Sequence, residues 1–147
     1  MAEADLPFVA VLYASTRAEE VALTGWPIDG QRAFLAQQHE AQHSHYRIHY
    51  ADMAWLILER DGEPVGRLYL DERTDELRIV DISLLPGARG LGFGRALLED
   101  VQDLARAGGK AVSIHVEKNN PARQLYDRIG FAFVEDKGVY DLLEWRS

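Results

Sequence analysis

Apolar residues recur at three- and four-residue spacing in the second half of the chain. Gly94, Leu97, Leu98, Val101, Leu104 and Ala105 share one face, while Arg95, Glu99, Gln102 and Arg106 share the other. This period predicts an amphipathic helix over 91–107, closed by Gly108-Gly109. The stretch before it, Leu77 to Leu85, is rich in Ile, Val and Leu, reads as a central strand and ends at Pro86-Gly87. Ala111 to Val116 reads as another buried strand. Strand, helix and strand in that order predict a parallel crossover unit, and such units bind ligands beyond the carboxyl ends of their strands.

The rest of the pattern completes the element order. Pro7 to Tyr13, through Phe8-Val9-Ala10-Val11-Leu12, reads as a buried strand, and Arg17 to Leu23 as a short helix stopped by Gly25 and Trp26-Pro27. A longer helix follows from Gln31 to Tyr46. Met53 to Arg60 and Pro64 to Leu70 read as antiparallel strands joined at Asp61-Gly62, and Asp71 to Asp75 makes a further hairpin connection. Asn119-Asn120-Pro121 starts a helix carrying Ala122, Leu125, Tyr126 and Ile129 on one face, and Gly130 ends it. Phe131 to Val134 and Val139 to Trp145 form a terminal strand pair around Asp136-Lys137-Gly138. The whole predicts an α/β fold with a mixed central sheet of about seven strands and helices on both faces.

Composition narrows the possibilities. A chain of 147 residues with 47% hydrophobic and 27% charged residues suits one folded domain over 1–147. Sixteen basic against twenty-four acidic residues give a net charge of −8, which argues against nucleic acid or an anionic membrane and favours a cationic partner. No run of about 18 apolar residues spans a bilayer, and the acidic start lacks the basic region of a signal peptide, so the expected location is the cytoplasm. With no cysteine, thiolate metal sites and a cysteinyl intermediate are excluded.

The loop between the central strand and the amphipathic helix carries the chemistry. Gly90, Gly92 and Gly94 let backbone approach a ligand where the first helical turn leaves its N–H groups unpaired, and Arg89 and Arg95 add positive charge to an acidic chain. This composition suits a phosphate. A dinucleotide fingerprint would need Gly where Arg95 stands, and a P-loop would need a Gly-Lys-Ser/Thr ending.

Arg89, Gly92 and Gly94 fill the pattern Q/R-x-x-G-x-G/A. With Ile79 to Pro86 before the loop and Asn119 to Phe131 after it, the chain resembles the GNAT superfamily of N-acetyltransferases over about residues 77 to 134. The resemblance implies a GNAT fold and acetyl-CoA as co-substrate. Backbone groups of Ile82, Ser83 and Leu84 would meet the pantetheine arm, and the loop Arg89-Gly90-Leu91-Gly92-Phe93-Gly94-Arg95 the pyrophosphate. Leu91 stands where relatives often carry a basic residue, which shifts the attraction to Arg89 and Arg95. Either Asn119 or Asn120 would contact CoA or fix the helix start. The resemblance also allows a homodimer, and places the helices before the first hairpin, the Trp26-Pro27 loop, Tyr46 and Tyr69 around the acceptor.

Acyl transfer to an amine needs a neutral amine, stabilisation of the thioester oxygen and a proton for the departing thiolate. The resemblance makes Tyr126 the acid. For the base, Asp81 is a carboxylate in an apolar strand, with pairing to Arg78 or Arg67 as its structural alternative. His115 is a second candidate, or an interior hydrogen-bonded histidine, and bulk water a third. The expected function is direct transfer from acetyl-CoA to a primary amine of a small molecule or protein, without metal. A non-catalytic acyl-CoA sensor is the alternative.

One motif competes. His39-Glu40-Ala41-Gln42-His43 is a literal H-E-x-x-H on a helix, the zinc-protease pattern. Neither His45 nor His49 falls at the spacing of a third zincin ligand, and the other reading is a polar helix rich in Gln and His.

Overall fold

The computed structural model describes residues 1–50, 52–90 and 92–147. Its helices are α1 (Leu6–Ala22), α2 (Ile28–His49), α3 (Phe93–Ala107) and α4 (Arg123–Arg128). Its strands are β1 (Ala54–Arg60), β2 (Glu63–Glu72), β3 (Glu76–Leu84), β4 (Ala111–Glu117), β5 (Ala132–Lys137) and β6 (Tyr140–Trp145). The six strands form one mixed sheet in the order β1-β2-β3-β4-β6-β5, flanked by helices. β3 and β4 run parallel across the α3 crossover, and β6 pairs antiparallel with both β4 and β5.

Helix α1 replaces the strand expected over 7–13. In the segment Pro7 to Tyr13, Val9, Leu12 and Tyr13 are buried while Val11 is 61% exposed, so the buried positions follow i, i+3, i+4 and not alternation. A short apolar run does not by itself separate the two periods. Pro7 in the first turn is a helix-start residue, because its missing N–H is one that a helix leaves unpaired. The sheet accordingly has six strands.

The turn joining β1 to β2 places Asp61 at φ 52° and Gly62 at φ 82°, the doubly left-handed geometry of a tight hairpin. Two compact units divide the chain: residues 1–68 with 82–88, and residues 69–81 with 89–147. The first gathers Val9, Leu12, Tyr13, Val21, Met53 and Leu68. In the second, Val112, Ile114 and Val116 of β4 register against Trp145, Leu143 and Asp141 of β6. These positions are buried, as are Leu98, Val101 and Ala105 of α3.

Helix α3 is rotated from its expected face. Gln102, read as a surface residue, is 6% exposed and donates from Nε2 to the Ile129 carbonyl at 2.9 Å, whereas Leu104, read as core, is 60% exposed. The true stripe is 98, 101, 102, 105, and the polar Gln102 belongs to it because it satisfies a carbonyl at the end of α4.

Gly66 of β2 fixes a close approach within the first unit. A Cβ there would stand 2.4 Å from the Ser83 carbonyl oxygen and 2.8 Å from Leu84 Cδ2. The Leu85 N–H donates to the Val65 carbonyl at 2.8 Å beside it. Gly66→Ala must therefore push β2 from β3 at the segment 82–84. We expect a stability loss of about 2 kcal/mol, read as a melting temperature lower by several degrees; an unchanged melting curve would refute the close packing.

Candidate active site

The crossover unit builds the site's frame. The β3–β4 register runs from Glu76↔Ala111 to Ile79↔Ile114, so Asp81 stands two residues past its last pair. Chain direction then leads through Pro86–Ala88, a single 3-10 turn, into the glycine loop. Gly90 has φ 75° and Gly92 φ 80°, and Gly92 is the residue that caps α3. The first intrahelical bond of α3 runs from Ala96 N–H to Gly92 O at 3.0 Å, so the amides of the preceding turn have no acceptor in the helix. No side chain caps this end. Leu91 lies outside the described residues. Arg95 pairs with Glu99 at 2.7 Å on the exposed face of α3, a surface pair worth little.

Helix α4 is clasped against α3 at both ends. At Gly94 a Cβ would stand 3.9 Å from Leu125 Cδ2, and Gln102 bonds Ile129. Of the two asparagines, Asn120 fixes the turn before α4, its Oδ1 accepting from Ala122 N–H at 2.8 Å, while Asn119 lies exposed in the turn after β4. Arg123 secures the helix from outside, donating to Asp141 at 2.9 Å and pairing with Asp127 at 3.3 Å. Gly130 ends the segment at φ 100° with Trp145 3.2 Å from where a Cβ would be. The sequence reading missed Gln102 and Arg123 as the residues that position this helix; a polar residue within the apolar stripe was the available signal.

Tyr126 is 4% exposed and packs edge-on against Phe131 at 5.5 Å. Burial, reinforced by the negative charge of Asp81, pushes its phenol up to about 12. The structure thus couples the two residues assigned to proton chemistry and keeps the phenol protonated at neutral pH. Ile82, Ser83 and Leu84 continue β3 in the first unit and are half-buried.

His115 fares differently from either expectation. It is exposed, and Arg78 Nη1 donates to its Nδ1 at 3.2 Å, because a guanidinium only donates. Arg78 also donates to Ser113 Oγ at 2.6 Å and pairs with Glu76 at 3.3 Å. Burial and then Arg78 lower the His115 pKa, and its basic nitrogen is already engaged. Tyr69 is fully buried core, so it does not wall an open site.

The H-E-x-x-H helix makes a stack instead of a ligand set. His39 and His43 lie 6.2 Å apart at 23°, with Tyr13 and Trp55 against their outer sides. Among the described residues no group of three or more His, Cys, Asp and Glu gathers to hold a metal. Burial, then Arg67, lowers the His39 pKa.

Residues 17–131 match the model of the acetyltransferase (GNAT) family. The chain belongs to that family. A ribosomal protein alanine N-acetyltransferase of Haemophilus influenzae is 36% identical over 86 residues, 58% of this chain and 59% of that protein. A mycothiol acetyltransferase of Beutenbergia cavernae is 34% identical over 96 residues, 61% of this chain and 32% of that protein. The chain therefore spans less than two thirds of these relatives' lengths. The solved PaiA N-acetyltransferase of Thermoplasma acidophilum in complex with coenzyme A superposes with a TM-score of 0.74 at 13% identity, over 100% of this chain and 96% of that one. That likeness extends the GNAT fold to the whole chain. Among the described residues no helix is long and apolar enough to cross a membrane.

The phenol of this GNAT chain sets an alkaline limit. Its folded pKa lies above the ordinary value of 10, so the folded state holds the proton more tightly; that stability is complete below pH 10 and is lost as pH rises towards 12. Two pKa units correspond to about 3 kcal/mol. Denaturant melts at pH 9 and pH 11.5 should show wild-type losing more stability than Tyr126→Phe; parallel losses would contradict the buried, protonated phenol.

Proposed function

We propose that the chain catalyses direct transfer of an acetyl group from acetyl-CoA to a primary amine of a small molecule or protein, acting as one domain over 1–147. The observation that supports this reading is the packing of α4, which carries a buried, protonated Tyr126, against the start of α3, where Leu125 lies beside Gly94 and the glycine loop is left-handed at Gly90 and Gly92. That loop suits a diphosphate: the amides of the first helical turn and the helix dipole supply the attraction, with Arg89 and Arg95 beside them. Arg95 exchanges its surface partner Glu99 at little cost.

The reaction forms one C–N bond and breaks one C–S bond. The neutral amine attacks the thioester carbonyl carbon, and the electron pair of the C–S bond leaves with sulfur. Tyr126 donates a hydrogen bond to that sulfur. With its phenol at about 12 the residue keeps its own proton more firmly than a thiol of ordinary pKa near 8.5 would, so it acts by stabilising the developing thiolate. We assign the amine's proton to Asp81, directly or through water, because this carboxylate is electrostatically coupled to Tyr126 and His115 is engaged by Arg78. The net charge of −8 favours a cationic acceptor.

Mass-spectrometric detection of acetylated products from a panel of primary amines with acetyl-CoA tests the reading. We expect turnover with at least one cationic amine, and Tyr126→Phe lowering kcat by about 10²-fold while the KM for acetyl-CoA stays within a factor of about two. Saturable acetyl-CoA binding with no transfer to any amine would mark a sensor. Gly92→Val, which forces a side chain into φ 80°, should weaken acetyl-CoA binding by about tenfold or more. Unaltered affinity would sink the loop assignment.

A further inference from the structure

The histidine stripe of α2 has a use apart from metal. His39, His43 and Arg47 follow one another at four-residue spacing, so they lie one turn apart along a single face. His39 is buried at the inner end and Arg47 is exposed at the outer end. His43 connects them, stacked on His39 and edge-on to Trp55 of β1 at 5.5 Å and 72°. At the outer end of the stripe is a cavity of about 310 Å³, lined by Leu6, His43, Arg47 and Trp55 together with the chain start, where Glu3 supplies a carboxylate.

The lining combines two chemistries. Trp55 and Leu6 give an aromatic face and an apolar wall, and Arg47 gives a guanidinium that has no hydrogen-bond or ion-pair partner among the described residues. His43 adds a neutral imidazole, its pKa lowered by burial, then by Arg47 and Arg67. A guanidinium beside an aromatic face is suited to a carboxylate carried on a flat apolar group, since it bonds the carboxylate in a bidentate fork. The volume lies at the lower end of small-ligand pockets.

We infer that this cavity is a second binding site, for a small monocarboxylate bearing an aromatic group, with Arg47 holding the carboxylate and Trp55 the ring. The Glu3 carboxylate, which lines the same cavity, opposes an anion there and lowers the affinity. None of these residues takes part in the proposed acetyl transfer, so the two readings stand or fall separately.

Calorimetric titration of the full chain with phenylacetate, phenylacetamide and phenethylamine tests the site. Phenylacetate should bind saturably and at least about tenfold more tightly than the neutral amide or the amine. Arg47→Gln should weaken phenylacetate by about tenfold with an unchanged melting temperature, and Glu3→Gln should tighten it. Binding at the same site should also quench tryptophan emission, and the quench should be lost in Trp55→Phe. Equal binding of the three probes, preference for the amine, no binding of phenylacetate, or indifference to Arg47→Gln would each overturn the proposal.

Discussion

Gly92 turns the backbone to φ 80° one residue before α3, and the geometry of the candidate site follows from that turn. A residue with a Cβ resists this conformation, so the chain can enter the helix abruptly only through glycine. No side chain caps this end, and the first-turn amides have no acceptor within the helix itself. Gly94, two residues on, lies beside α4, where a Cβ would meet Leu125 Cδ2 at 3.9 Å, an ordinary contact. One loop thereby supplies a helix end of the kind that suits an anion and an edge beside the helix that carries Tyr126.

The clasp between α3 and α4 explains why a polar side chain sits in an apolar stripe. Helix α4 has only six residues, too few to hold itself by helix formation alone. Its position is fixed from outside by Gln102 on the Ile129 carbonyl, by Arg123 on Asp141, and by the Asn120 turn before it. Asp141 is 9% exposed and also takes Lys118 at 3.2 Å, so a nearly buried carboxylate has two cations to balance it. These tethers hold Tyr126 in the apolar surroundings that raise its pKa.

Much of this was legible in the chain. The crossover β3–α3–β4, its parallel sense and the hairpin at Asp61-Gly62 follow from periodicity and turn chemistry, and local patterns carry that information well. The glycine loop and the helix ending at Gly130 were visible for the same reason. The helix over 7–13 was not, because five adjacent apolar residues satisfy both periods and only the burial of Val9, Leu12 and Tyr13 against an exposed Val11 separates them. Gln102 and Gly66 depend on partners far along the chain, Ile129 and Ser83, which no local pattern names. The choice between Asp81 and His115 is likewise tertiary, since it turns on where Arg78 directs its donors.

The H-E-x-x-H helix shows how the same residue types take different roles in different surroundings. A catalytic zinc needs two imidazoles at this spacing, a third ligand and an open position. Here the two rings stack on each other between Tyr13 and Trp55, and burial, followed by cationic neighbours that include Arg67, lowers the pKa of both. Positive charge next to imidazoles disfavours a metal cation for the same reason that it disfavours a proton. The stripe is built to remain neutral. Its outer turn, where Arg47 and Trp55 meet a cavity, then favours an anion, which is the opposite of what the motif suggests from its letters.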